Sequence, residues 1–453
     1  MGHTRRQFIR KCAGAASAAV VSRSLGGPPM TAQTSQPLIN WAGNYRYGAP
    51  LSTAASVQQV QDFVKGHDHL RALGTRHCFN GIADSTANLL SVREMNEVVA
   101  LDPTARTVTL QSGMSYGQLC PYLDGRGYAL HNLASLPHIS VAGACATGTH
   151  GSGVHNGNLS TAVSALEIVT AGGDLLRLSR DKDGDVFRGS VVSLGALGVV
   201  TKVTLDVLPG FTMRQDVYLD LDMAQVRDHF EEIVAAGYSV SLFTDWLKGR
   251  VNEVWIKRRI EPGAAAETPP TFFGARAATT NVHPIVELSA ENCTQQMGVP
   301  GPWYERLPHF RMGFTPSSGK ELQSEYFVPR TNAVEAILAV ERLRDHVSPH
   351  LMITELRTID ADELWMSPCY KRPSLAIHFT WKQEWESVSK VLPMIERDLA
   401  PFGVRPHWGK LFTIPAPVLQ RRYERGEEFK RLLAVHDPQG KFRNAFLNTT
   451  LYG

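Results

Sequence analysis

The chain has 453 residues, of which 43% are hydrophobic and 20% charged, and a formal net charge of +3. That is material for two or three cored domains and excludes a disordered chain. The positive balance does not indicate nucleic acid: Arg5, Arg6, Arg10, Lys11 and Arg23 supply it, the charge without them is −2, and no helix-turn-helix, RNP or zinc-finger spacing is present.

At the N-terminus, Arg5-Arg6-Gln-Phe-Ile-Arg-Lys11 precedes an alanine-rich apolar run from Cys12 to Val21 that is too short to span a bilayer. Residues 1–35 are expected to form a twin-arginine-type signal segment, read by the twin-arginine export machinery and sending the folded protein to the periplasm or beyond. A basic amphipathic tail is the other reading. No permanent membrane anchor is expected. Of the remaining cysteines, Cys78, Cys120, Cys145, Cys293 and Cys369 form an odd, dispersed set. They build no disulfide framework and no C-x-x-C zinc pair, so buried, reduced thiols and no metal are expected.

From about Leu38 to Pro209 short strands alternate with helices. Val57, Val60, Phe63 and Val64 recur at helical spacing within Ser56 to Val64. Strands are expected at Leu70 to Leu73 and Thr107 to Leu110, and a hairpin over Ala165 to Ser179 around Ala171-Gly-Gly-Asp174. Lys202 to Val207 alternates, with Val203, Leu205 and Val207 on one face. Pro209-Gly210 then marks a boundary. Beyond it, helices are expected at Met223 to Ala236, Asn332 to His346, Ser387 to Leu399 and Leu419 to Ala434. Strands are expected at Ser239 to Leu247 and Leu375 to Trp381, and Glu261 to Thr280 reads as a surface loop. The expected domains are 37–209, 210–418 and a C-terminal segment, 419–453, packing back on the first.

Two stretches are rich in glycine, Gly74-Thr-Arg-His-Cys-Phe-Asn80 and Gly143-Ala-Cys-Ala-Thr-Gly-Thr-His-Gly-Ser-Gly153. Small residues let backbone N–H groups approach a diphosphate. Neither is a P-loop or a Rossmann fingerprint, and plain turns would look similar. In Ile353-Thr-Glu-Leu-Arg-Thr-Ile359, two-residue periodicity puts Glu355 and Arg357 on one face between Ile353 and Ile359. They form either a structural ion pair or a polar ligand site. In Leu375-Ala-Ile-His-Phe-Thr-Trp381, His378 and Thr380 oppose the apolar face of Leu375, Ile377, Phe379 and Trp381.

These stretches, with Ala134-Ser-Leu-Pro-His-Ile-Ser-Val-Ala-Gly143 between them, resemble the FAD domain of the vanillyl-alcohol-oxidase superfamily. Asn132 to Gly153, Ser193 to Thr201, Tyr238 to Trp246, Gly298 to Trp303 and Arg405-Pro-His-Trp-Gly-Lys410 resemble bacterial alditol (xylitol) oxidases, related to sugar-1,4-lactone oxidases. The resemblance covers nearly everything from Asn40 onward. It implies an α+β protein: a PCMH-type FAD-binding domain of two α+β subdomains, and an α+β substrate cap built on an antiparallel sheet.

It further implies FAD held by one covalent bond to His77. Cofactor contacts carry over to Gly74, Thr75, Arg76, His77, Cys78, Ser135, Ser140, Gly143, Thr147, Gly148, His150, Val199 and His407. Arg76 and Cys78 depart from the glycine and serine common there. A second bond, to cysteine, is not expected, since Ala134 occupies that position and Cys145 lies within the diphosphate stretch. Substrate contacts carry over to Ser135, Val154, Glu355, Arg357, Thr380 and Lys410, with Lys410, His378 and Arg357 catalytic. The implied reaction oxidises the terminal hydroxyl of a small polyol to an aldose, with O2 reduced to hydrogen peroxide. A sugar-1,4-lactone oxidase or dehydrogenase is the alternative, and an exported carbohydrate-binding protein without turnover a third.

Overall fold

The computed structural model describes residues 37–261, 267–313 and 320–453. The expected signal segment lies outside the described residues. No helix among the described residues is long and apolar enough to cross a membrane.

Strand β1 (Leu51–Thr53) leads into helix α1 (Val57–Lys65), which starts where the Ser56 side chain accepts from the Gln59 N–H and buries Val60, Phe63 and Val64. Strands β2 (Arg71–Ala72) and β3 (Leu89–Ser91) join β1 in a small parallel sheet, order β1-β3-β2. Next come β4 (Val98–Asp102), β5 (Thr107–Gln111), α2 (Tyr116–Asp124), β6 (Tyr128–Ala129), α3 (Val141–Ala146), β7 (Val163–Val169), β8 (Leu175–Ser179), α4 (Arg180–Val191) and β9 (Val199–Asp206). Five of these strands form an antiparallel sheet, order β4-β5-β9-β7-β8. The expected β7–β8 hairpin turns through Gly173, whose φ of +80° favours glycine. Alternate residues of β9 are buried, as the sequence pattern requires.

Strand β10 (Leu208–Pro209) pairs with β6, and the chain then enters a second sheet. Its elements are β11 (Thr212–Asp222), α5 (Met223–Val234), β12 (Ser239–Thr244), β13 (Arg250–Ile260), β14 (Thr271–Phe272), β15 (Ala275–Ala277), β16 (Gly301–Pro302), β17 (Glu321–Pro329), α6 (Ala333–Glu341), α7 (Arg344–Val347), β18 (Leu351–Ile359), β19 (Ser374–Lys382), α8 (Trp385–Leu399) and β20 (Arg405–Pro406). The strands run β14-β15-β11-β13-β12-β18-β19-β17-β20, with β16 beside β11. Helices α5 and α6 pack on this sheet and α8 packs on α6. Leu375, Ile377, Phe379 and Trp381 enter the core, as their alternation predicts.

Three expectations fail locally. Glu261 to Thr280 is not wholly loop: Phe273 and Gly274, at φ +47° and +83°, close a β14–β15 hairpin, and Phe272 lies against Tyr218 with ring centroids 5.2 Å apart. The single helix expected over Leu419 to Ala434 is two, α9 (Ala416–Arg422) and α10 (Gly426–His436). Between them Tyr423 turns extended and packs its ring 4.8 Å from that of Trp408, so burial of an aromatic outweighs helical continuity. The helix expected over Asn332 to His346 divides into α6 and α7.

Arg71 is buried and donates to the carbonyls of Ile82, Leu194, Gly195 and Phe442 at 2.5–2.8 Å. It thereby ties the small sheet to the loop before β9 and to the returning C-terminal segment, where Leu70 N–H also donates to Lys441 O. Burial pushes the guanidinium down to about 10, still charged at neutral pH. Arg71→Met strands these carbonyls and is expected to lower stability by about 3 kcal/mol, read by urea unfolding.

Candidate functional site

The register of the large sheet builds one wall of a cavity of about 530 Å³. Glu355 on β18 pairs with His378 on β19, which pairs with Glu325 on β17, so three polar side chains stand in a row across adjacent strands. Thr380 pairs with Gln323 in the next row. After β20, His407 N–H donates to Glu325 O, Lys410 N–H to His407 O and Leu411 N–H to Gln323 O, which brings Lys410 to the same wall.

The opposite wall comes from the glycine-rich stretches. Thr75 Oγ1 accepts from Ser140 N–H at 3.1 Å and lies 3.0 Å from His77 Nδ1, locking the first stretch to the start of α3. Gly143-Ala-Cys-Ala146 is thus helix, and only Thr147 onward is loop. Phe79 N–H donates to Gly409 O, and the Asn80 amide donates to Trp408 O and Lys410 O, so the His77 stretch is stitched to the His407–Lys410 stretch. Trp41 stacks on the His77 ring at 5.5 Å, and His138 lies 4.4 Å from it. Arg76 sits at φ +63°, which explains why glycine suits this position better.

Electrostatically the cavity centres on Glu325, which is 2% exposed. Its Oε1 accepts from Arg357 Nη2 at 2.8 Å and lies 3.0 Å from His150 Nε2, while Oε2 is 3.5 Å from His378 Nδ1. Burial alone would raise this carboxyl, but His150, His378 and Arg357 hold it well below the usual range. Glu355 behaves alike: Arg357 and His309 overcome burial and depress it. Burial, reinforced by His138 and Lys410, holds the His77 imidazole neutral. Burial lowers Lys410 and His378 as well, and pushes His407 down to about 3.

Almost every residue expected at the site lines this one cavity: Gly74, Thr75, Arg76, His77, Cys78, Ser135, Ser140, Gly143, Thr147, His150, Glu355, Arg357, His378, Thr380, His407 and Lys410. Three lie elsewhere. Val199 is in the apolar cluster with Val60 and Phe63, the Val154 carbonyl accepts from Arg330, and a Cβ on Gly148 would meet Pro368 at 3.1 Å. Cys145 is buried with Sγ toward Tyr116 and Leu159 O, outside the cavity lining, and the cysteines from Cys78 onward are free thiols. The sequence reading missed Glu325, Gln323, His309 and Trp41. For the first two a signal exists, since Glu321, Gln323 and Glu325 alternate with Leu322, Ser324 and Tyr326.

The cavity fits FAD. Gly74 and Gly143 line the cavity on either side of Ser140, and a Cβ on either would lie 2.9 or 2.7 Å from Ser140 Oγ, so the bare backbone here keeps the Ser140 hydroxyl in place at the cavity wall. His77 Nε2 is buried with no hydrogen-bond partner among the described residues, as expected of an atom that faces a ligand.

Residues 49–179 match the FAD binding domain family and residues 315–450 the D-arabinono-1,4-lactone oxidase family. The chain is 47% identical over 418 residues to an alditol oxidase of Streptomyces sp., covering 91% of this chain and 99% of that protein. It is 29% identical over 415 residues to an L-gulono-1,4-lactone dehydrogenase of Mycobacterium tuberculosis, covering 89% and 95%. Among solved structures it resembles cholesterol oxidase from B. sterolicum, with a TM-score of 0.75 at 14% identity over 94% of this chain and 99% of that one.

The depressed Glu325 and Glu355 make stability pH-dependent with a defined sign. Both stabilise the fold fully above the ordinary glutamate value of 4.5, and that contribution is lost as pH falls below it toward their folded values. Glu325→Gln leaves Arg357 and His150 without their shared carboxylate and is expected to cost about 3 kcal/mol at pH 7. Urea unfolding at pH 7 and pH 4 should show a smaller difference for the variant than for the parent.

Proposed function

We propose that this chain, which belongs to the alditol oxidase family of FAD-linked oxidoreductases, oxidises the terminal hydroxyl of an alditol of the xylitol or sorbitol type to the aldose. The observation that carries the reading is the placement of a buried acceptor, Glu355, and a buried donor, Arg357, on one strand facing the His77 wall. A hydroxyl both donates and accepts, so a polyol can add bonds to both residues, which Glu325 and His309 already hold in place.

Bound FAD supplies the acceptor for the hydride that leaves the carbinol carbon, and O2, reduced to hydrogen peroxide, is the final oxidant. The chain's residues bind and orient. Glu355 accepts from one substrate hydroxyl and Arg357 donates to another, while Ser135 and Thr380 offer hydroxyls along the same cavity. Lys410, lowered by burial, would take the hydroxyl proton or stabilise its loss, with neutral His378 lining the same cavity. His77 would hold the cofactor covalently: its imidazole is neutral, hence nucleophilic, its Nε2 has no protein partner, and Trp41 fixes its plane. A twin-arginine export route belongs to the same proposal and rests on Arg5-Arg6-Gln-Phe-Ile.

The match of residues 315–450 to the lactone oxidase family favours a second substrate class, sugar-1,4-lactones. Steady-state assays with xylitol, sorbitol and gulono- and galactono-1,4-lactone, under O2 and with an artificial acceptor, separate the two. Higher kcat/KM on the alditols is expected, and a strong lactone preference overturns the reading. Acid-precipitated protein should remain yellow, and His77→Ala should release its flavin to the supernatant. Lys410→Met should lower kcat about a hundredfold with flavin content unchanged.

A further inference from the structure

Behind Glu355 lies a second set of buried polar groups that the oxidation chemistry leaves unused. Lys257, on β13, is 1% exposed, and among the described residues its bonds go to carbonyls and an imidazole rather than to a carboxylate. Its Nζ donates to Leu307 O, to Pro308 O at 3.2 Å and to His309 Nδ1 at 3.1 Å. His309 Nε2 in turn lies 2.7 Å from Glu355 Oε1. An ionised carboxylate only accepts, so the His309 proton sits on Nε2, directed at Glu355, and Nδ1 of the neutral ring accepts from Lys257. The ring cannot turn away: Phe243 and Trp255 meet it edge-on, with centroids at 5.4 and 5.2 Å.

We propose that Lys257 and His309 form a positioning relay that keeps Glu355 ionised and holds one carboxylate oxygen so that the other faces the substrate hydroxyl. The inference rests on the reading of Glu355 as the hydroxyl acceptor. Three features converge on it. Both imidazole nitrogens are engaged, the ring is clamped by aromatics, and Lys257 is tethered by two carbonyls, so a long flexible side chain has one position. A carboxylate free to rotate would lose entropy on every binding event, which the relay removes beforehand. Burial pushes Lys257 down to about 7 and, with Lys257, pushes His309 down to about 4, so His309 stays a neutral donor through the neutral range.

The charged and titratable groups facing Glu355 are Arg357 on its own strand, His309 and Lys257 from the side of β13, and His378 from β19, with Glu325 beyond Arg357. Removing the His309 donor leaves burial less opposed, so the Glu355 carboxyl must move up. In His309→Phe, KM for xylitol is expected to rise about tenfold, the factor of one charge-assisted hydrogen bond, with kcat within about twofold. Its kcat/KM should show an acid limb shifted to higher pH than the parent's, since Arg357 and His378 then oppose burial without His309. His309→Gln, which keeps an N–H donor, should recover most of the loss, and Lys257→Met should reproduce it in part.

Infrared difference spectra between pH 8 and pH 5 supply a readout that needs no substrate. A protonated carboxyl band should develop in His309→Phe in excess of those the parent shows from buried groups such as Glu253 and Asp362, which burial raises to about 7 and about 6, and the excess should vanish when Glu355→Gln is added. Should His309→Phe fail to fold, Lys257→Met and His309→Gln carry the same measurements. Parent-like KM, pH profile and infrared spectrum in a folded Lys257→Met or His309→Phe protein overturn the relay. A parent enzyme that turns over no alditol sinks the substrate reading instead, and the infrared band still tests the relay.

Discussion

One buried carboxylate organises this molecule. Glu325 stands in the strand between β19 and β20, and a bare charge there would cost several kcal/mol. Its partners come from three places: Arg357 on β18, His378 on β19, and His150 from the second glycine-rich stretch. Satisfying Glu325 therefore demands that this stretch close with His150 against the large sheet. The cavity between them is the space left once that demand is met. Its walls are fixed by hydrogen bonds rather than by apolar packing alone, so FAD and substrate meet a shape already made.

Much of the site was legible because strand periodicity is local information. Glu355 and Arg357, and His378 and Thr380, were placed on their faces by alternation, and the structure puts all four on the cavity wall. The same rule, applied to Glu321, Gln323 and Glu325, would have found the central carboxylate. Lys257 and His309 could not be found that way. They are 52 residues apart, they join through a loop after β16, and each alone looks like an ordinary core or loop residue. The fold was legible to a similar depth: long periodic elements such as α1, β9 and β19 lie where expected, whereas the α9–α10 break depends on Tyr423 meeting Trp408 across the fold.

Residues carried over by resemblance divide on physical grounds. His77, Ser140 and Gly143 line the cavity, and a side chain on Gly143 would strike the Ser140 hydroxyl. Val199, Val154 and Gly148 belong to motifs near the site, but the Val199 side chain serves an apolar cluster and a Gly148 side chain would meet Pro368. Arg76 is a true departure: it adopts the left-handed backbone without glycine and reaches back to donate to Ile39 O at 3.0 Å. The strain, about 1–2 kcal/mol, is tolerated because the turn also delivers His77 to the cavity.

Burial acts on this site in two opposite senses, and that separation is what an alcohol oxidation needs. For the carboxylates Glu325 and Glu355 it is overcome by close cations and imidazoles, and they remain charged. For His77, His378 and His407 it prevails and favours the neutral base, and it also lowers Lys410, whose Nζ donates to Gln323 Oε1. Both kinds of group stand on the large-sheet wall, where Glu325 and Glu355 share a row with His378 and Lys410 is brought to the same side, while His77 stands across the cavity. In the proposed reaction a hydroxyl held by an ionised acceptor would therefore meet proton-accepting groups on the same wall.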